Sequence, residues 1–575
     1  MPSNSSSRPR PRLPVFPRAC VGAAVTSALF LTSAPAQAGG FEVAGPGARA
    51  LGRGNAYVAG AKDLSAIYYN PALLAKQRGT RVMLSHSLIW HQMEYTRAPL
   101  SDFWVDPQTG EALGGTTFEP VKNQTPLFAL GGFGVISSDF GLDNWTFAAG
   151  MFGPHAVGKV KYPEYGPQSF LLTEMDTIVL YYSLAGAWKH KSDKFGIGAT
   201  LQWADMPYLS YSLGVDSSLL SDTNPDNGVD ASLFSPLPNG NGTQLVTKLN
   251  LQDRFAFTAI LGAWYRPHPS VELGFGGRVV PVIFRPEGVK KGSKKPFLAG
   301  KGTWEGSLET DKDTLVSESC DIDPVTGDDI NCRPTSASMD KLVMPIELRV
   351  GARYIKTKGD RELFDVELDV QYENWSANQS FDITFDGAIN GIPIAPVSIG
   401  KNFKDTVAIR TGGDYNLLDG HLTLRAGGFF ETAASPDGYA HLDIPSFMRG
   451  GLSAGLSGQF RGVGLNVGYM HVFQETIETD EASAKLYQIR AVRPCPDYCA
   501  GENGVRSNAG TFKSSFDIFG ASVDLLWDEM IHGDKWQEVR EQRRERRGAR
   551  RAARRAARQG SPTAPTPAPE PATSE

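Results

Sequence analysis

One serine of this chain has the local sequence of a hydrolase nucleophile. Gly451-Leu452-Ser453-Ala454-Gly455 fits the pattern Gly-x-Ser-x-Gly, which works on a sharp strand-to-helix turn where the serine hydroxyl is exposed. Here the motif lies inside a glycine-rich segment of strand character, and no helical pattern follows it. We therefore expect Ser453 to be an ordinary strand residue and predict that the protein is not an enzyme; a lipase or esterase is the alternative.

The cysteines after residue 38 form two closely spaced pairs, Cys320 with Cys332 and Cys495 with Cys499. Neither spacing suits a zinc site or a Cys-x-x-Cys redox motif. In an exported protein, such pairs favour two local disulfides. The loop between the first pair is acidic and offers oxygen ligands for Ca²⁺, but it lacks EF-hand spacing, so a solvated loop is favoured. We predict no metal and no cofactor.

Charged and apolar side chains alternate in two neighbouring segments. In the stretch 346–354, IELRVGARY, one face is apolar and the other carries Glu347, Arg349 and Arg353. The next segment places Val366, Leu368, Val370 and Tyr372 against Asp365, Glu367, Asp369 and Gln371. This period of two is that of a β-strand. We expect the arginines and the facing carboxylates to form a structural ion-pair ladder; a solute-binding site is the alternative.

Strand-like segments recur from Thr80 to about Trp527, and the breaks between them alternate strictly in length. The short breaks lie at 137–144, 191–194, 268–270, 357–361, 417–420 and 461–462. The long breaks lie at about 95–125, 153–176, 214–250, 286–341, 386–404, 432–446 and 477–511. Tight turns at one rim and long loops at the other are typical of an up-and-down barrel. The sequence thus predicts an all-β fold, a 14-stranded antiparallel transmembrane β-barrel with an apolar face toward lipid.

The two ends of the chain differ in charge from the body. Residues 1–38 contain four Arg and no acid, residues 534–575 contain eleven basic and six acidic side chains, and the body between them carries −14. An acidic body argues against nucleic-acid binding. Four Arg, a short apolar run and Ala36-Gln37-Ala38 are typical of a cleaved secretory signal. A membrane anchor would need an apolar run of about 20 residues.

Four regions follow from these patterns: a signal peptide at 1–38, a leader at 39–79, a barrel at 80–530 and a periplasmic tail at 531–575. We expect the Arg-rich part of the tail, 540–558, to be helical when ordered and the Pro/Ala-rich part, 561–575, to be disordered. Solvation of the tail and weak contact with anionic lipid or cell-wall material are the alternatives.

The leader is rich in Gly and Ala and has no sustained strand alternation. It ends in Asn70-Pro71-Ala72, shortly before the first strand. Small residues allow compact folding, and Asn-Pro favours a rigid turn with side-chain hydrogen bonds. A solvated leader and a plug inside the barrel are the alternatives, and the predicted lumen favours the plug.

Several motifs together resemble the outer-membrane transporters of hydrophobic compounds typified by the long-chain fatty acid transporter FadL, the OmpP1/FadL/TodX family. The most specific are Gly52-Arg53-Gly54-Asn55-Ala56-Tyr57 and Tyr69-Asn70-Pro71-Ala72. Phe152-Gly153-Pro154, the stretch 344–351 (MPIELRVG) and the stretch 508–512 (NAGTF) support them in the same order. The resemblance covers most of the mature chain.

The resemblance implies a passive channel of the bacterial outer membrane. In this family an N-terminal hatch blocks the lumen, extracellular loops capture the ligand, and a hatch rearrangement releases it sideways through a gap at the kinked third strand. Carried over by position, the hatch motif is Asn70, Pro71 and Ala72, and the kink is Phe152, Gly153 and Pro154. The proline lacks a ladder donor and the glycine permits a bulge, so we expect pairing to fail there; a simple strand end is the alternative.

The resemblance also implies a hydrophobic cargo, in the first place long-chain fatty acids, with aromatic hydrocarbons or other lipids as the alternative. The family's capture groove lies in the loops after the fifth and seventh strands, which here contain Leu219, Leu220, Leu233, Phe234, Phe297, Leu298 and Trp304. A ligand carboxylate would need an Arg or Lys, and the sequence does not choose between Arg410 and Arg425. We expect a monomer in contact with outer-membrane lipids and lipopolysaccharide. A general porin is a further alternative.

Overall fold

Most of the chain forms β-strands in a computed structural model. The structure describes residues 45–99, 115, 117–129, 132–154, 158–164, 166–216, 244–285, 308–310, 316–317, 319–322, 329–333, 336–386, 388–389, 392–393, 395–489, 506–533, 545 and 549. The described residues all belong to one unit of the chain, Gln37–Glu575. The predicted signal peptide and most of the tail lie outside them.

Fourteen antiparallel strands form a closed barrel in the described part of the chain. Strand β1 is Thr80–Arg97, β2 consists of Val121–Lys122, Leu127–Ala129 and Phe133–Ser138, and β3 consists of Trp145–Phe152 and Lys159–Lys161. The others are β4 Glu174–Lys189, β5 Phe195–Asp216, β6 Gln244–His268, β7 Val271–Val280, β8 Glu347–Lys358, β9 Arg361–Glu373, β10 Thr406–Leu417, β11 Leu422–Glu431, β12 Arg449–Phe460, β13 Val463–Gln474 and β14 Gly510–Leu526. The predicted barrel is confirmed.

The first and last strands close the barrel. Their register runs from Arg81 opposite Leu526 to Arg97 opposite Gly510. The chain enters β1 and leaves β14 at the same rim as the short connections, which we call the turn rim. We call the opposite rim, where the long connections lie, the loop rim.

The wall has an apolar outer face and a polar inner face, as the period of two predicts. On the outer face, Leu84 is 58% exposed and Leu368 is 52% exposed. The inner face buries Arg353 and Glu367, the latter with 0% exposure. Among the described residues, no helix has the length and apolar character to span a bilayer.

Short elements complete the described structure. Helix α1 is Ala48–Leu51, α2 is Ala66–Tyr69 and α3 is Trp527–His532, with 3₁₀ turns at Pro71–Lys76, Trp375–Ala377 and Leu418–Gly420. Strand Ile477–Thr479 pairs with β14, and Leu308–Thr310 pairs with β6. The remaining loop strands are Val282–Phe284, Val316–Ser317, Ser319–Ile322, Asp329–Arg333, Ser336–Met339, Leu342–Met344, Ser380–Asp386, Ala388–Ile389, Ile392–Pro393 and Val397–Gly400.

Candidate functional site

A compact segment fills the barrel at the level where charged side chains line the wall. We call residues 45–77 the hatch. Within it, only Gly45, Arg49, Lys62 and Lys76 keep part of their surface exposed. Its two short helices and its 3₁₀ turn contact strands around the lumen, which matches the plug interpretation of the Gly- and Ala-rich leader.

Asn70 fixes the turn at the predicted hatch motif. Its side-chain Nδ2 donates to Val58 O at 2.8 Å and to Ala263 O of β6 at 2.9 Å. Its Oδ1 accepts from Ala72 N at 3.2 Å and caps the 3₁₀ turn, with Pro71 in the first position. One buried amide therefore joins two parts of the hatch to each other and to the wall. The role of the motif in transport stays a prediction.

Glycines of the wall allow the hatch backbone to approach the strands directly. A Cβ on Gly198 would lie 2.6 Å from Ala72 N, and one on Gly262 would lie 2.7 Å from Pro71 Cδ. Other wall glycines against the hatch lie on seven further strands: Gly276, Gly351, Gly412, Gly427, Gly455, Gly468 and Gly520. Together with Gly198 and Gly262 we call them the glycine belt. At all of these positions except Gly455 and Gly520, an added Cβ would lie 2.6 Å or less from a hatch atom, so no side chain fits there.

Overfilling the glycine belt is expected to unseat the hatch. We predict that Gly262→Val raises the conductance of the full-length protein in planar bilayers, because overpacking costs about 1–3 kcal/mol and displacing the hatch relieves it. Gly458→Val is the matched control, since an added Cβ at Gly458 meets no atom within 4 Å. Equal conductance of the two variants would contradict a tightly seated hatch.

A buried ion cluster attaches Arg53 of the hatch to the wall. The Arg53 guanidinium lies 2.7 Å from Asp365, 2.9 Å from Glu367 and 2.6 Å from Asp414. Burial alone would lower the pKa of Arg53, but the carboxylates of Asp414, Asp365 and Glu367 raise it well above its usual value. The guanidinium therefore stays charged, and its stability in this site depends on all three carboxylates.

Two of the wall carboxylates also bind backbone N–H groups of the hatch. Asp369 Oδ2 accepts from Tyr57 N at 2.8 Å and from Val58 N at 3.1 Å. Glu367 Oε1 accepts from Ala59 N at 2.6 Å and from Gly60 N at 3.2 Å. Successive N–H groups of the hatch thus converge on acidic side chains of β9. These four N–H groups thereby find acceptors in the wall.

The predicted ion pairing between β8 and β9 is seen for Arg353 with Asp365, and the wall has further acceptors. Arg353 lies 2.7 Å from Asp365 and 3.0 Å from Glu272 of β7, and Arg349 pairs with Glu347. The participation of Arg53 in this cluster was not predicted from the sequence. The sequence did contain a signal for it: β9 has more inward-facing carboxylates than β8 has arginines, so a further cation was needed.

The two arginines considered for a ligand carboxylate already have carboxylate partners. Arg410 lies 2.6 Å from Glu431, and Arg425 lies 3.1 Å from Asp414. Both are therefore part of the structural charge network of the wall.

Ser453 does not lie on a nucleophile elbow. It is in the middle of β12, opposite Gly427 of β11 and Met470 of β13. Its Oγ accepts a hydrogen bond from Gly54 N of the hatch at 2.7 Å. The strand interpretation of the Gly-x-Ser-x-Gly match is therefore correct, and the hydroxyl helps to seat the hatch.

The hydrogen-bond ladder is broken beside the hatch, at the predicted kink. The first segment of β3 ends at Phe152, and the second begins at Lys159. Phe152 stands opposite Tyr181 of β4 and Lys159 stands opposite Asp176, so the register shifts by two between these pairs. On the other side, β2 pairs with β3 only from Gly134 to Ser138 in the described residues. Both ladders of β3 are thus interrupted after Phe152.

Phe152 connects the broken strand to the hatch. Its ring packs against Tyr68 of the hatch, with centroids 6.2 Å apart, and against Phe133 and Tyr181 of the wall at 5.2 and 6.0 Å. A displacement of α2 would therefore change the packing at the break. A transport role for Phe152, Gly153 and Pro154 stays a prediction.

The predicted loop sites lie mostly outside the described residues. This holds for Leu219, Leu220, Leu233, Phe234, Phe297, Leu298 and Trp304, and for Cys495 and Cys499. Cys320 and Cys332 lie on two paired strands, beside the position where Ser319 stands opposite Arg333. Both predicted disulfides stay predictions.

A closed barrel with an apolar exterior, a charged lumen and a seated hatch defines an occluded channel of the bacterial outer membrane. The family model for outer membrane transport proteins, OMPP1/FadL/TodX, matches residues 29–494. The chain belongs to this family, whose members are channels for hydrophobic compounds. The resemblance noted in the sequence is confirmed.

Solved structures show the same fold at low sequence identity. A Pseudomonas aeruginosa FadL homologue is 15% identical, with a TM-score of 0.60 over 85% of this chain and 99% of the other. The P. putida toluene transporter TodX is 16% identical, with a TM-score of 0.52 over 84% of this chain and 97% of the other. A search among curated protein sequences gave no match.

Proposed function

We propose that the protein carries long-chain fatty acids passively across the outer membrane. The ligand is captured among the loops of the loop rim, a rearrangement of the hatch gives it passage, and it leaves sideways through the wall beside β3. The observation that carries the proposal is the packing of Tyr68 of the hatch on Phe152, where the ladder breaks. A seated hatch closes the axial route, and the same element borders the interruption in the wall.

The geometry favours lateral release over axial passage. Arg53 and the N–H groups of residues 57–60 are bound to wall carboxylates, and the glycine belt brings the hatch backbone into direct contact with the wall. Axial passage would require all of these contacts to break. A shift of Tyr68 at the edge of the hatch would break far fewer of these contacts. A ligand that leaves through the wall would directly enter the lipid that surrounds the apolar outer face.

The family also supports a second cargo. TodX is titled a toluene transporter, so an aromatic hydrocarbon is the alternative substrate of the proposed route. Uptake of radiolabelled oleate and of toluene in cells where this protein is the only channel for hydrophobic compounds distinguishes the two. Faster oleate uptake than in cells without the protein supports our proposal, whereas acceleration of toluene uptake alone contradicts it. A large steady conductance of the full-length protein in planar bilayers would instead indicate a general porin.

Straightening β3 tests the lateral route. Deleting Gly153 and Pro154 removes the two extra residues and keeps inward and outward positions unchanged, because the strand period is two. We expect the ladder to become continuous and oleate uptake to fall at least tenfold, while the barrel still folds. Deletion of Gly110 and Glu111 in the long loop after β1 is the matched control. Normal uptake by the β3 variant would rule out release at this site.

A further inference from the structure

A cavity of about 230 Å³ lies among the loops of the loop rim. Its walls are mostly apolar and include Phe170, Leu171, Val397, Ile399 and Leu486. These residues come from the loops after β3, β9 and β13, and Tyr439 and His441 come from the loop after β11. The cavity is thus distinct from the groove predicted in the loops after β5 and β7.

The walls of the cavity are fixed by a fully buried asparagine. Asn508 Nδ2 donates to Gly438 O at 2.7 Å and to Ala440 O at 3.2 Å, and its Oδ1 accepts from Leu486 N at 3.1 Å. Lys485 N donates to Gly438 O at 3.0 Å. The loops after β11 and β13 are therefore bound to each other, and the cavity is largely preformed, as ligand sites usually are.

Two titratable nitrogen-bearing side chains of the cavity, His441 and Lys485, have different surroundings. His441 is buried, and its Nδ1 lies 2.7 Å from Asp443, whose oxygens also lie 2.7 and 2.6 Å from Lys401 Nζ. Burial lowers the pKa of His441 and keeps its imidazole neutral at neutral pH. The charges of Lys401 and Asp443 offset each other behind it.

Lys485 supplies a positive charge to the lining of the cavity. Its side chain is exposed, and no carboxylate of the described residues lies within 4.0 Å of its Nζ. An ammonium beside apolar walls suits a ligand with one anionic end and a hydrocarbon body. An uncharged aromatic hydrocarbon would leave this group unused.

We propose that this cavity captures a long-chain monocarboxylate, with its carboxylate at Lys485 and part of its acyl chain between Ile399 and Leu486. The inference rests on the proposed function and names the first binding site of that route. The volume is below the roughly 300–1,000 Å³ of complete ligand pockets, so the remainder of the chain extends through the open side of the cavity. This partial enclosure suits a capture site from which the ligand moves on.

Binding of oleate and of oleyl alcohol to the full-length protein in lipid nanodiscs tests the site. The two probes share the hydrocarbon chain and differ only in the anionic head. We expect Lys485→Gln to weaken oleate binding about three- to fivefold, the size of an exposed ion pair, and to leave oleyl alcohol binding unchanged. Lys485→Arg retains oleate affinity, and Ile399→Asp weakens both probes. A photoreactive oleate crosslinks to the loops that contain residues 396–400 and 485–489.

The outcomes separate this site from the proposed function. Unchanged oleate affinity in both Lys485→Gln and Ile399→Asp, with crosslinks elsewhere, overturns the capture site. If wild-type protein still accelerates oleate uptake in that case, the proposed function stands. Charge-dependent binding at Lys485 with no oleate uptake by the wild type supports the site and overturns the transport proposal.

Discussion

Replacing Arg53 by methionine is expected to turn the occluded barrel into a conducting one. The substitution keeps the apolar stem and removes the cation that pairs with Glu367, while Arg353 and Arg425 remain beside Asp365 and Asp414. Breaking a buried ion pair by removal of one partner costs about 3–5 kcal/mol, because the remaining charges stay desolvated. Water can rehydrate these carboxylates only if the hatch moves. Single-channel recordings in planar bilayers should therefore show long open periods that the wild type lacks.

Lys62→Met provides the control for the Arg53 variant. Lys62 lies in the same hatch and contacts Asp365 at 3.3 Å, but its side chain is 32% exposed. Exposed pairs contribute at most about 1 kcal/mol, so this variant should remain closed. Hydrogen exchange at the N–H groups of residues 57–60 reports hatch seating independently. Slow exchange and a closed channel in Arg53→Met would show that other contacts suffice to hold the hatch.

Replacing Asp443 by leucine is expected to disrupt the described loops at the loop rim. Asp443 accepts from Tyr211 Oη at 2.9 Å and from Lys401 Nζ, whose side chain is 0% exposed. The substitution leaves a buried ammonium without a carboxylate, which again costs about 3–5 kcal/mol. Protease treatment of intact cells should cut the loop at 432–448 in the variant and not in the wild type. The barrel itself should keep its heat-modifiable migration on gels.

The double variant Lys401→Met, Asp443→Leu separates charge from packing. It removes both ionic groups, and apolar replacement of a whole buried pair is often neutral or stabilising. We expect the double variant to recover most of the protease resistance that Asp443→Leu loses. A double variant as sensitive as the single one would mean that Tyr211 and His441, rather than the ion pair, hold the loops.

The strands of the barrel wall could be predicted from the sequence, whereas the contacts of the hatch inside the barrel could not. Alternation within segments such as 346–354 predicts which side chains face lipid, and the break lengths predict the strand number and the two rims. Both signals are local, because the strand period of two appears in any short stretch. The position of the break after Phe152 came from the family resemblance, and Gly153 and Pro154 supported it because Gly and Pro disfavour regular strand pairing.

The contacts of the hatch could not be predicted in the same way. Arg53 meets Asp365 and Asp414 across separations of 312 and 361 residues, and no local pattern records such a pairing. The glycine belt also cannot be recognised in the sequence, because its members lie on different strands and become neighbours only when the barrel closes. The capture cavity depends on Asn508 and Gly438, 70 residues apart, in loops that have no periodic pattern.

The contacts of the hatch also determine an order of assembly. The hatch precedes β1 in the chain, yet Thr200 of β5 binds Ile67 O at 2.8 Å, and Gly520 of β14 would overlap Leu51 if it carried a Cβ. Its binding surface therefore exists only after the last strand has paired with the first. Contacts of such long sequence separation form late. The complete set of hatch contacts thus forms only in a barrel whose seam is closed.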